Sequence, residues 1–388
     1  MKYDFDKIIE RKNTNCVKWD TLKERFGSND ILPMWVADMD FEVAPEIIEA
    51  IKKRTEHGIF GYTIRPQTYY ESIINWVKKR HSWEINREWL GFSPGVVPAL
   101  AIAVLSFTDI GDKIIIQPPI YPPFFKVIKN NGRQIVENPL KLQDGKFVMD
   151  FDDLESKIDS KVKMLMLCSP HNPVGRVWDK DELEKLSNIC LKHNIIIVSD
   201  EIHSDIVYKD KKHIPIASLN EAVLQNTITF IAPSKTFNIA GLSTSATIIP
   251  NKKLRDKFEN TIESLEISSS NVFGIVALES AYKYGEEWLD ELLKYLEGNI
   301  NLLMDFARSN SHKVNITKPE GTYLAWLNFK NLNIKHDELV EFMIKKAKVG
   351  LNSGLDFGSQ GEGFLRLNFA CPRILLEEGL YRIEKALK

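Results

Sequence analysis

The chain has 388 residues, 44% of them hydrophobic and 27% charged, and its formal net charge is -2. That balance belongs to an ordinary globular protein of roughly two to three domains, and it excludes the global basic field that nucleic acid or an anionic membrane would select. No stretch approaches the roughly 18 uninterrupted apolar residues of a membrane span. The opening MKYDFDKIIERKN is charged and lacks the apolar core of a signal peptide. The four cysteines (Cys16, Cys168, Cys190 and Cys371) have no metal-ligand spacing. We therefore expect a cytoplasmic protein with reduced thiols, no metal, no nucleic acid and no membrane.

In chain order, residues 1–45 carry no strong period and are expected to wrap onto the C-terminal part. FSPGVVPALAIAVLSF (92–107) reads as a Ser-Pro-Gly turn opening an apolar helix, with Pro98 in the first turn, where its missing N–H is harmless. KIIIQPP (113–119), KMLMLCSP (163–170), NIIIVSD (194–200) and TITFIAPS (227–234) are continuous apolar runs, as expected of strands covered on both faces. DKDELEKLSNICLKHN (179–194) separates two of them with apolar residues at helical spacing. Such βαβ units predict an α/β fold with a mostly parallel, doubly wound sheet in a large domain, residues 46–285. From 286 the pattern changes. EEWLDELLKYLEGNINLLMDFARSN (286–310) lines up Trp288, Leu292, Leu296, Ile300 and Leu303 on one helical stripe. GTYLAWLNF (321–329), a helical pattern near 336–348 and GFLRLNFA (363–370) follow. They predict a smaller α+β domain over residues 286–388.

The polar residues after the strands carry the chemistry, because open α/β sheets bind ligands beyond the carboxyl ends of their strands. Those ends present Tyr121, Asn172, Asp200 with His203, and Ser234 with Lys235. The amides near Gly95, Val96 and Val97 are free to hold an anion at a helix N-terminus. Singly, each has a plainer reading: a solvated lysine, a capping aspartate, an Asn-Pro turn, a structural histidine, a core tyrosine. Jointly they suit pyridoxal phosphate (PLP). The lysine becomes a neutral imine with the aldehyde, and the aspartate keeps the pyridine nitrogen protonated. The amide and imidazole face the phenolic oxygen, the aromatic ring stacks on the pyridine, and the serine and helix terminus take the phosphate. Lys235 is then also the proton shuttle.

With these residues in place, the chain resembles the fold-type I PLP-dependent enzymes of the aminotransferase superfamily, and within them the MalY/PatB group of cystathionine β-lyases. The resemblance runs through ILPMWVADMDFEVAPEI (31–47), FGYT, GVVPAL, PPIYPPF, CSPHNPVGRVW, SDEIHSDIVY, PSKTFNIAGL and FLRLNFACP. It implies Lys235 as the cofactor lysine, Asp200 on the ring nitrogen, Asn172 on the phenolic oxygen and Tyr121 stacked on the ring. It implies that Arg366 clamps the substrate α-carboxylate and that the backbone near Ala37 and Asp38 closes over the same group. Tyr62 is implied to reach a phosphate in the partner subunit, so that a homodimer shares its active sites. Aminotransferases commonly have tyrosine three residues after the aspartate and arginine eight after the lysine; here those positions are His203 and Ser243. Both departures resemble C–S lyases. The resemblance thus implies α,β-elimination on cystathionine or a related sulfur amino acid, with aminotransferase activity as the alternative. A further implied role is binding of a transcription factor.

Overall fold

Seven short strands, all but one running the same way, form the central sheet of the computed structural model, which describes residues 3–388. They are β1 (Leu90–Ser93), β2 (Lys113–Ile116), β3 (Gln134–Glu137), β4 (Val162–Cys168), β5 (Ile196–Asp200), β6 (Thr227–Ile231) and β7 (Ser245–Ile248). Their order is β1-β7-β6-β5-β4-β2-β3, with β7 antiparallel to both of its neighbours. The four apolar runs are β2, β4, β5 and β6. β4 explains why those runs do not alternate: Met164, Met166 and Cys168 face one core, and Val162, Leu165 and Leu167 face another. The first core holds α1 (Val96–Phe107); the second holds α2 (Lys180–Lys192) through Leu183, Leu186 and Cys190. At the start of α2, the Glu182 carboxylate accepts from the Asp179 amide at 3.0 Å, satisfying an N–H that the helix leaves free.

β1, β3 and β7 were not legible as strands. They are four residues each, and β1 (LGFS) and β7 (SATI) mix small polar and apolar residues, so only pairing across the sheet reveals them. The helix expected over 336–348 is α-helical only over His336–Phe342 and widens into a π turn at Met343–Ala347.

Beyond the sheet, α3 (Glu286–Ser309) buries the whole predicted stripe, Trp288 to Leu303. Full burial of each such side chain contributes roughly 1.5–3 kcal/mol. A four-stranded antiparallel sheet follows, built from β8 (Asn315–Ile316), β9 (Leu324–Asn328), β10 (Asn352–Ser353) and β11 (Phe364–Asn368) in the order β8-β9-β11-β10. The N-terminal segment meets this part of the chain: Leu32 and Pro33 pair in parallel with Val349 and Gly350, and Phe5 packs edge-on against Trp288 at 5.7 Å. Among the described residues no helix is long and apolar enough to cross a membrane.

Candidate active site

Register brings the polar strand ends together. Cys168 and Asp200 are directly paired at the ends of β4 and β5, and Asp200 pairs with Phe230 on β6. After β6 the backbone enters one helical turn, Pro233–Thr236, which carries Ser234 and Lys235. The Lys235 amine donates to the Ala37 carbonyl at 2.7 Å. Asn172 follows β4, and its Oδ1 accepts from Arg366 Nη1 at 3.1 Å. Gly95 immediately precedes α1, and the Ser93 hydroxyl donates to the Gly95 carbonyl at 2.8 Å, shaping the turn that leaves the Val96 and Val97 amides at the helix start. His203 lies just past β5 and meets the Tyr323 ring edge-on at 5.8 Å.

Burial sets the ionisation. Lys235 is half-buried, yet the packing around its amine strips hydration and pulls its pKa down to about 8. Asp38 and Asp200 oppose that shift, and Arg366 adds to it. The Asp200 carboxyl is pushed up to about 7, chiefly by desolvation; the Ile202 amide, 3.1 Å away, counteracts this and the Glu201 charge reinforces it. Desolvation lowers His203 to about 3, so its imidazole is neutral. Burial also raises the Tyr121 hydroxyl and lowers Arg366 to about 10.

Three groups here lack the partner their chemistry requires. Among the described residues Asp200 has no cation, and Arg366 no carboxylate, within ion-pair distance. His203 Nδ1 and Arg366 Nε are buried with no hydrogen-bond partner. Buried charge and buried polar atoms left in this way are costly. This set fits pyridoxal phosphate with an amino acid. An aldehyde suits the low-pKa amine, a protonated ring nitrogen suits Asp200, and a phenolic oxygen suits Asn172 and His203. A carboxylate suits Arg366.

Tyr62 is fully exposed, on a stretch where Ile59, Phe60 and Ile64 are also exposed, so it touches no site residue of its own chain. The Ala37 carbonyl accepts from both Lys235 and the Tyr323 hydroxyl (2.9 Å), while the Asp38 carboxylate is paired with Arg11. Both oxygens are acceptors already engaged, so in this stretch the backbone amides are the groups suited to a substrate carboxylate.

Several supporting residues escaped the sequence reading. Asn238, three residues past Lys235, grips segment 35–41 through the Met39 amide (2.9 Å) and the Met39 and Phe41 carbonyls (3.0 and 3.1 Å). Asn368, two residues past Arg366, donates to the Val36 and Asp38 carbonyls. Arg366 is further held by Asn352 Oδ1 (2.7 Å) and the Trp35 carbonyl (2.9 Å). Asp205 is buried and accepts from Trp76 Nε1 (3.0 Å), His81 Nε2 (3.0 Å) and the Thr236 hydroxyl (2.8 Å), fixing the turn that bears Lys235. The signal for Asn238, Asn368 and Asp205 was their nearness to the lysine, arginine and aspartate motifs; Asn352 gave none.

The chain is similar to known proteins along its whole length. Cystathionine beta-lyase PatB of Bacillus subtilis (strain 168) is 47% identical over 385 residues, 99% of this chain and 100% of that protein. Cystalysin from Treponema denticola, whose crystal structure contains a pyridoxal 5'-phosphate cofactor, superposes with a TM-score of 0.97 at 41% identity, covering 100% of this chain and 99% of that one. The PLP-bound C-S lyase from Staphylococcus hominis, complexed with the inhibitor L-cycloserine, gives a TM-score of 0.93 at 36% identity over 100% and 98% of the two chains. The profile of aminotransferase class I and II matches residues 29–383, and the chain belongs to that family.

Proposed function

We propose that the chain is a pyridoxal phosphate-dependent C–S β-lyase acting by α,β-elimination on cystathionine or a related sulfur amino acid. The observation that carries this reading is one buried site where a low-pKa amine, an acid without a cation and an arginine without a carboxylate act on one another. When bound, pyridoxal phosphate supplies an electrophilic aldehyde and a ring that takes up the electron pair left by proton removal. Arg366 holds the substrate α-carboxylate, with Asn352 and the Trp35 carbonyl fixing its guanidinium. Tyr121 supplies the aromatic face, Asn172 and His203 the polar contacts to the ring oxygen, and Ser234 with the α1 amides the phosphate contacts. The Lys235 amine, neutral above about pH 8, takes the α-proton. Loss of the β-thiolate and addition of water then yield a thiol, pyruvate and ammonia.

His203 and Ser243, which replace the tyrosine and arginine common in aminotransferases, support elimination over amino transfer, as does the likeness to PatB and the Staphylococcus lyase. The test is to incubate purified protein with cystathionine and no keto acid. We expect stoichiometric pyruvate and thiol; strict dependence on added 2-oxoglutarate would make it an aminotransferase.

A homodimer is part of this reading. The exposed Ile59, Phe60, Tyr62 and Ile64 support it, because a stretch of large apolar side chains in water is unfavourable without a partner. Tyr62 then reaches the phosphate of the other subunit. Sedimentation should give twice the chain's mass, and Tyr62→Phe should weaken cofactor retention about tenfold, the worth of one hydrogen bond to a charged group. A monomer, or unchanged retention, would remove this element.

A further inference from the structure

Segment 35–41 lies between the two halves of the site and touches both. Its Trp35 carbonyl accepts from Arg366 at 2.9 Å and its Ala37 carbonyl from Lys235 at 2.7 Å. Besides the two asparagines already described, the segment is fastened by a cluster of charges that the reaction does not use. Arg11 Nη2 lies 2.6 Å from Asp38 Oδ2, and Arg11 Nη1 lies 2.6 Å from Asp40 Oδ1. Lys18, 1% exposed, places Nζ 2.5 Å from Asp40 Oδ2 and 3.8 Å from Asp38 Oδ1. Trp19 Nε1 adds a bond to Asp40 at 3.0 Å. Two cations and two carboxylates thus cancel, behind the carbonyl that holds the catalytic amine.

We propose that Arg11 is a positioning residue for Lys235: it neutralises Asp38, so that the amine faces the Ala37 carbonyl rather than an uncompensated carboxylate. Lys18 does the same for Asp40. The groups facing Lys235 are Asp38 on this segment, Arg366 on β11, Asp200 at the end of β5, His203 just beyond it, and Tyr323, which shares the Ala37 acceptor. Asp38 is the largest of the influences that favour the charged ammonium, and Arg11, at 2.6 Å, is the nearer of the two cations paired with it, Lys18 lying at 3.8 Å. Without Arg11 the ammonium gains stability, and fewer molecules carry a neutral amine at neutral pH. Only the neutral amine adds to the aldehyde carbon of pyridoxal phosphate; a C=N bond then replaces C=O and the oxygen leaves as water. The inference rests on the function proposed above, and its readout is cofactor uptake, separate from turnover.

Full-length apoprotein is mixed with pyridoxal phosphate across a pH series, and the growth of the visible absorbance band is followed. Arg11→Met is chosen because Arg11 is partly exposed, whereas removing Lys18 strands a buried carboxylate. We expect the midpoint of the uptake rate to move up by about half a pH unit or more. The Arg11→Met/Asp38→Asn double variant should return it to the wild-type position, because the carboxylate left with only the more distant Lys18 is gone. A purely structural tether predicts no such rescue. An unmoved midpoint in the single variant, or the same shift in the double variant, overturns the proposal. A wild-type protein that never develops the band overturns the cofactor assignment itself and this inference with it.

Discussion

Lys235→Ala is expected to lose the visible absorbance of the bound cofactor and at least about 10⁴-fold in kcat, on the order of 5 kcal/mol of barrier. Two roles are lost at once: the covalent attachment point and the base that takes the α-proton. Loss of fold is not the cause, and the electrostatics say why. The Lys235 pKa is depressed in the folded chain, so its favourable contribution is full only above the unfolded value near 10.5. That contribution is lost as pH falls through about 8. At pH 7 the ammonium therefore burdens the apoprotein, and alanine removes the burden. Circular dichroism melts should show the variant apoprotein unfolding no lower than wild type at pH 7. Wild-type turnover by the purified variant would refute the assignment of this lysine.

Asp200→Asn should cost about 10³-fold in kcat, the scale of removing one preorganised electrostatic contact from a buried site, while leaving KM nearly unchanged. Its effect on stability runs the other way. The Asp200 pKa is raised to about 7, so the folded state is favoured by this group only below the unfolded value near 3.8. That advantage disappears as pH rises through 7. Above pH 7 the apoprotein carries a desolvated carboxylate with no cation beside it. Asparagine keeps the acceptor for the Ile202 amide and drops the charge. The variant apoprotein should gain on the order of 3 kcal/mol at pH 8, with the gain shrinking as pH falls from 7 towards 4. In the holoprotein the gain should vanish, since the ring nitrogen is the missing cation. Loss of activity together with gain of apo stability is the signature to look for. A variant destabilised equally at every pH would mean that Asp200 serves the fold and not the ring.

Much of the site was legible because it is assembled from strand ends. A run such as TITFIA must be covered on both faces, and whatever follows it lands on the ligand edge of the sheet. Lys235, Asp200, Asn172 and His203 were therefore placed by local pattern alone. Arg366 was placed only by resemblance: its strand, FLRLN, has the residue pattern of many edge or core strands, and its role depends on Asn172, 194 residues away, to which it bonds.

Residue type, apolar period and order along the chain determined by themselves that this is an α/β protein with a lysine, an acid and an amide on one edge. These features act between neighbours in sequence, where the geometry of strand and helix is nearly invariant. Tertiary structure alone decided that residues 35–41 thread between Asn238 and Asn368, that Arg11 reaches Asp38 and that Tyr323 shares a carbonyl with Lys235. It alone decided that the amine titrates near 8 and the acid near 7. Contacts across hundreds of residues and the loss of hydration are sums over everything that packs around an atom, and no local stretch of sequence contains that sum.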